Sequence, residues 1–439
     1  MGVNVSRYCC SENGEEEPQC DVSVDAVQVV EALEEAPAQV VPSGSLTNSE
    51  GTEGTEVPTM TNSELPVSLQ ATISFKVDRA AAHGIPVFSI LRDFGLRKLT
   101  SPSYLDLRFQ RRLWERSHPA EAFDVFFSHT WNAPGRLKFL SLLFQYGWPT
   151  VTVSWLCVVT VAFVQGAFGL VPLPFTFHAD TLGFKADCPY APWAWLSGTL
   201  AVLISLFLFP YCCCASCSPT CFLDVASVHQ TDPVLKERGV LGLGGFLQIS
   251  KELRVLWSPT YLSRLWCVFE LAAFRKANPS GRIQVKPLFV ERQVFFLILA
   301  CAFMTGIFVA AREGVSQAYQ SGMVAIAMSP LALIVHTNRK FMREERQITE
   351  ALATFELKNA GCQREEDKAF LLAAINAWYG SEEAFTAYVR GPLTRELLAA
   401  STLDLPFGYG LLAAASPCCR IAREPRAPSQ PKLKQAAFF

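Results

Sequence analysis

The chain has 439 residues, half of them apolar and only 18% charged, with a formal net charge of −2. A positive mean hydropathy of +0.22 excludes a purely soluble globular protein and points to segments that leave water. Basic residues are dispersed and form no patch interleaved with aromatics, so nucleic acid is not an expected partner.

The chain opens Met-Gly-Val-Asn-Val-Ser, which places Gly2 and the Ser6 hydroxyl in the N-myristoylation pattern, with Cys9 and Cys10 close behind. One acyl chain holds a protein on a membrane only marginally and a second makes the anchor stable, so Gly2, Cys9 and Cys10 are expected lipidation sites. Residues 1–75 carry one Arg against thirteen acids, a net charge of −12, and read as a disordered acidic tether. The remainder carries 37 Lys and Arg against 27 Asp and Glu, a net charge of +10 suited to an anionic membrane surface. Residues 76–122 read as a basic linker or helical region. Leu91–Leu99 and Leu105–Trp114 look helical, although Leu105-x-Leu107-x-Phe109 also fits a strand.

Next, a short apolar strand is predicted at Asp124–Ser128 and an amphipathic helix at Arg136–Tyr146, with Leu137, Leu140, Leu143 and Phe144 on one face. No Lys, Arg, Asp or Glu then occurs between Lys138 and Asp180, between Asp187 and Asp224, between Arg292 and Arg312, or between Glu313 and Arg339. About 20 apolar residues cross a bilayer as a helix, so spans are predicted near Trp148–Leu170, Trp193–Tyr211, Gln293–Ala311 and Ser316–His336. The last opens with polar residues and contains Pro330. The spans hold no Asp, Glu, Lys or Arg, the usual marks of an ion path, so a channel or transporter is the least favoured reading.

Between and after the spans lie strands at Cys221–Val225, Leu253–Trp257 and Ile283–Val290, helices at Gly245–Lys251 and Leu262–Lys276, a fifth strand at Ala353–Lys358 and a helix at Glu365–Tyr379. Gly242–Gly245 reads as a mobile loop lacking the Lys-Ser/Thr of a phosphate loop. This alternation predicts an α/β body with a parallel sheet, interrupted by two transmembrane helical hairpins. The parts are 123–147, 212–291 and 339–400, the last with a helical extension. The hairpins are 148–211 and 292–338, and 401–439 is a C-terminal tail.

The cluster Cys212–Cys221 sits where the second span ends, and Cys212, Cys213 and Cys214 are expected palmitoylation sites. A zinc site on Cys214, Cys217 and Cys221 with His229 is a weaker reading, because no second Cys-x-x-Cys pair exists, and no metal is expected. Arg275, Lys276, Arg282, Lys286 and Arg292 precede the third span, and Arg339, Lys340, Arg343 and Arg346 follow the fourth. The positive-inside rule then agrees with myristoylation in placing both termini and every part of the α/β body in the cytosol of a multi-pass protein. One conflict stands: hairpin one follows a helix and hairpin two follows a strand, so the two are expected to leave from opposite edges of the sheet.

Four segments in order carry a family likeness: Asp-Val-Phe-Phe-Ser at Asp124–Ser128, Phe-Leu-Asp at Phe222–Asp224, Ser-Pro-x-Tyr at Ser258–Tyr261, and Trp-Cys-x-x-Glu-Leu at Trp266–Leu271. Together they resemble the TIR domains of innate-immune and cell-death proteins over about half of the chain. The resemblance implies a flavodoxin-like parallel sheet and self-association, with copies of itself or with other TIR-containing partners, as a signal-transduction module. Some TIR domains also cleave NAD, and the resemblance then implies Glu270 as the catalytic carboxylate. Breaking the nicotinamide–ribose bond develops oxocarbenium character, which a carboxylate stabilises. Ser128, His129, Thr130 and Trp131, at the C-terminal end of the first strand, would contact the substrate with Asp224 and Trp266. His129, Thr130 and Trp131 depart from the aromatic-basic residues common in cleaving members. Scaffold members share the Trp-Cys-x-x-Glu-Leu pattern, so assembly is the first expectation and an NAD hydrolase without resident cofactor the alternative. Cys267 is expected to be packed and unreactive.

Overall fold

The computed structural model describes residues 75–92, 99, 101–173, 175–181, 184–190, 193–212, 218–312 and 317–400, together with Gln70 and Thr72. Gly2, Cys9, Cys10, Cys213 and Cys214 lie outside the described residues, as does the tail at 401–439.

The segment read as a linker enters the sheet instead. Strand β1 (His83–Pro86) runs into helix α1 (Val87–Leu91), and helix α2 (Leu107–Glu115) leads to strand β2 (His118–Pro119). The Leu105–Trp114 pattern is thus helical, with Gln110 and Leu113 turned inward. Strand β3 (Val125–His129) follows and is buried at every position, as befits a strand covered on both faces. Helix α3 (Gly135–Ala167) then runs unbroken from the α/β body into the first apolar span. Strands β4 (Phe175–Thr181) and β5 (Phe184–Tyr190) form a separate antiparallel hairpin before helix α4 (Trp193–Cys212) returns.

The second part begins with strand β6 (Thr220–Phe222). It is shorter than expected, because residues from Asp224 already turn into helix α5 (Asp224–Ser227). Helix α6 (Pro233–Leu241), capped by the Asp232 side chain on the Val234 and Leu235 amides, is followed by helix α7 (Leu243–Gln248). Strand β7 (Glu252–Trp257), helix α8 (Leu265–Ala277) and strand β8 (Arg282–Pro287) come next. Helices α9 (Leu288–Arg312) and α10 (Gln317–Ala353) form the second hairpin, and α11 (Glu365–Tyr379), α12 (Glu382–Tyr388) and α13 (Thr394–Ala400) close the fold.

The main sheet has the order β2-β1-β6-β3-β7-β8; β6, β3, β7 and β8 are parallel, and β1 and β2 are antiparallel additions at the edge. Numbered by appearance, the parallel strands lie second, first, third, fourth, so the order of winding reverses beside β3, and in open parallel sheets ligands bind at the C-terminal strand ends at such a point. Alternate side chains of β3 serve opposite faces. Ser128 meets α8, and Phe126 stacks on Phe222, which packs against Phe246 of α7. On the other face Arg254 of β7 covers Phe127 and reaches Gln145 of α3.

The fifth strand does not form. Phe355 and Leu357 are buried with Glu356 between them, a two-residue period, but Phe355 lies in the connection after α10 and Leu357 opens a 3-10 turn at Leu357–Asn359. Helix α13 packs against β8, the last strand of the sheet. The glycine-rich loop is also corrected. Gly244 and Gly245 are buried in α7 because the chain near Thr72 and Lys76 crosses them, and a Cβ on Gly245 would meet the Lys76 carbonyl oxygen at 2.5 Å and the Val77 Cα at 2.9 Å. Backbone cannot yield there, so Gly245→Ala is expected to cost about 1–3 kcal/mol and to make the chain near Phe75–Val77 the first site of limited proteolysis.

Among the described residues, α3, α4 and α9 are long and apolar enough to cross a membrane. α10, holding most of the fourth predicted span, packs along α9 but is not one of these three, and its second half carries many charged residues. The first hairpin closes through small residues: Gly147 lies against the Phe209 ring and Gly198 against Trp155 and Val159. The conflict over exits resolves without any wrapping connector. Strand β8 ends at Pro287 and α9 starts at Leu288. Gln145 of α3 donates to Glu291 of α9 at 3.5 Å, and Gly306 further along α9 lies against Trp195 of α4. α9 therefore runs beside α3 in the same direction, and both hairpins leave one edge of the body.

Candidate functional site

The C-terminal end of β3 gathers most of the residues singled out from the sequence. Ser128, fully buried, donates from Oγ to Glu270 Oε2 at 2.5 Å, and the same Oγ lies 2.5 Å from the Tyr261 hydroxyl. Tyr261 is itself buried, donates to the Cys267 carbonyl at 3.4 Å and stacks on Trp257. Tyr261 is held there because Ser258-Pro259 ends β7 and the Tyr261 amide closes a turn onto the Ser258 carbonyl. Glu270, five residues after the start of α8, is only partly buried as a residue. Enclosure of its carboxyl lifts the pKa to about 8, with Asp224 adding to the rise and the Ser128 hydroxyl opposing it.

A second set sits on the opposite face of the same strand end. His129 is 7% exposed, its Nε2 lies 3.8 Å from Asp224 Oδ1, and its ring meets the Trp131 ring edge-on at 4.5 Å. Burial first, and the nearby Lys138 cation second, hold the imidazole pKa well below its ordinary value, so it is neutral. Neither ring nitrogen has a hydrogen-bond partner among the described residues. Lys138 of α3 is wholly buried, donates to the Leu99 carbonyl at 3.3 Å and lies 5.0 Å above the Trp131 ring. Asp224 accepts from the Val225 amide at 2.8 Å, and burial raises its carboxyl against the pull of that amide and of Lys138.

Three expected substrate contacts are already engaged within the fold. Thr130 is buried and its Oγ1 accepts from the Asn132 amide at 3.2 Å, so it shapes the turn after β3. Trp266 hydrogen-bonds Asp367 of α11 and meets Phe269 edge-on, which ties it to the outer helix and away from Ser128. Trp131 has a ring face taken by Lys138. Cys267 is buried, its Sγ donates to the His129 carbonyl at 3.5 Å, and burial pushes its thiol well above the ordinary range, as an inert packed cysteine requires.

Sequence reasoning missed Lys138 and Tyr261. Lys138 was visible only as the last charge before an apolar window, on a helix whose neighbours Leu137 and Leu140 read as core. Tyr261 belonged to the Ser-Pro-x-Tyr segment without an assigned role. Of the cysteines in the zinc reading, Cys221 lies inside β6 with its Sγ donating to the Ile85 carbonyl, and His229 Nδ1 accepts from the Asp232 amide. Cys212 is exposed at the end of α4. Comparison of the chain with protein-family models, with curated proteins and with solved structures gives no match.

Proposed function

We propose that this chain is a multi-pass membrane signalling protein whose TIR-like α/β body, held on the cytosolic side, cleaves the nicotinamide–ribose bond of NAD at Glu270. The observation that carries the reading is the Ser128–Glu270 contact: an enclosed carboxyl that keeps its proton to about pH 8, at the end of β3 where the strand order reverses. In the reaction the C1′–N bond breaks and its electron pair stays on the nicotinamide nitrogen. Water then adds to C1′ and loses a proton. The positive charge that builds on the ribose is what the Glu270 carboxylate would stabilise. The nicotinamide ring of NAD is itself cationic, so substrate arriving beside Glu270 favours the ionised form. Ser128 and Tyr261 act as positioning residues that fix the carboxyl.

One observation favours an assembly module instead. Ser128 and Tyr261 are wholly buried, and with Glu270 they also fasten α8 to β3. The readings separate when the full chain is held at high density in vesicles and nicotinamide release from NAD is followed. Release by the wild type and not by Glu270→Gln supports cleavage; release no greater than that of the variant leaves the assembly module.

A further inference from the structure

Helix α10 carries an exposed apolar stripe into an exposed basic one. Met328, Leu331 and Val335 are exposed, and Arg339, Arg343 and Arg346 continue on the same side at the i, i+4, i+7 spacing of one helical face. The three arginines have no ion pair among the described residues. Of the neighbouring acids, Glu344 is engaged elsewhere, by Arg292 at 3.1 Å and Lys340 at 3.9 Å, and Glu345 and the exposed Glu350 make no ion pair with these arginines among the described residues.

From this surface we propose that Arg339, Arg343 and Arg346 form a binding site for the headgroups of anionic phospholipids in the leaflet that faces the α/β body. The proposal rests on the four-span reading of the sequence, in which α10, though not one of the three helices long and apolar enough to cross a membrane, returns through the bilayer packed along α9. Eleven residues separate Val335 from Arg346, about 16 Å of helix at 1.5 Å per residue. The headgroup zone beyond the hydrocarbon edge is about 5–8 Å deep. Side chains of a helix lean toward its N-terminus, which for α10 is the apolar end, so long arginines reach back toward the bilayer. Arg339 and Arg343 then sit at headgroup depth and Arg346 at its outer margin.

The site is lopsided, which distinguishes it from a uniform positive-inside belt. Between Gln145 and Thr152, α3 carries no charge. At the end of α4, the Arg92 side chain is turned onto the Pro210 carbonyl at 2.9 Å. On α9, Arg292 is committed to Glu344. Among the described residues at these helix ends, unpaired cations are therefore found on α10, beside one hairpin.

The test reconstitutes the full chain in phosphatidylcholine bilayers with or without brominated phosphatidylserine, and measures tryptophan quenching and the lipid retained after detergent extraction. Each arginine near the surface contributes about fivefold, so Arg339→Gln/Arg343→Gln/Arg346→Gln is expected to lose about a hundredfold in apparent affinity for phosphatidylserine. Raising ionic strength should weaken the wild type and leave the variant unchanged. An equal-charge control on α2, Arg108→Gln/Arg111→Gln/Arg112→Gln, should behave as wild type. Equal retention of neutral and anionic lipid by inserted wild-type protein overturns the proposal, as does full competition by soluble glycerophosphoserine. Failure of the chain to insert at all would overturn the membrane reading itself.

Discussion

Glu270→Gln is expected to lower nicotinamide release by about 100-fold or more, the usual loss when a group that stabilises developing charge is removed. Glutamine keeps the size of the side chain and a carbonyl oxygen that can accept from Ser128, so the contact at 2.5 Å has a successor and the fold is retained. The pH profile of the wild type carries more information than the loss alone. The carboxyl ionises near pH 8 in the free protein, so kcat/KM should rise with pH and level off above that value. The profile of kcat should turn at lower pH, because bound cationic substrate favours the carboxylate.

Stability should move the opposite way with pH. The ordinary glutamate value is 4.5 and the folded value about 8, so between them the folded state holds the proton more tightly than the unfolded chain. Stability falls as pH rises through that window, and above it the wild type carries the full cost of a buried charge. The Gln variant has nothing to ionise at this position. It should be more stable than wild type by a few kcal/mol above about pH 8, and the difference should shrink toward pH 4.5. Thermal unfolding of both proteins across this range checks the point; parallel curves would show that Glu270 is not enclosed as described.

Phe222→Ala is expected to cost about 3–5 kcal/mol, as large a loss as any single side chain in this core should give. Phe222 is fully buried, stacked on Phe126 with centroids 4.5 Å apart and edge-on to Phe123 at 5.5 Å. The loss is a large share of the 5–15 kcal/mol that ordinary domains possess. Its position makes the outcome specific. Phe126 precedes the first hairpin and Phe222 follows it, so this stack joins two pieces of one sheet across the apolar insertion. Hydrogen exchange should quicken across β3 and β6 while the amides of α3, α4 and α9 within the hairpins stay protected. Uniform loosening of hairpins and sheet alike would mean that the body is not an independent packing unit.

How much of this was legible in the sequence follows from the range of the forces involved. Charge-free windows and residue alternation are local, so the three apolar helices, the strands at β3, β7 and β8, and the exact bounds of α11 could be read along the chain. The strand order could not be read along the chain, because nothing local states which strand lies beside which. Failures occurred where a local pattern served a distant partner. The two-residue period of Phe355 and Leu357 arises from packing beneath α10 and α12, and Gly245 is small because Lys76 crosses it. Segment 76–122 lacked a strong period, since a strand of four residues and another of two gain their hydrogen bonds from the sheet they join.

The chain by itself therefore determined that apolar hairpins interrupt an α/β body and that Glu270 and the end of β3 are its chemically suggestive residues. Only the tertiary structure decided that Ser128, Tyr261 and Glu270 meet, that Lys138 is buried against Trp131, that Trp266 turns away to Asp367, and that both hairpins leave one edge. Those outcomes depend on contacts between residues more than a hundred positions apart in most cases. Burial, which shifts Glu270 and silences His129, is a property of the assembled fold and of no segment alone.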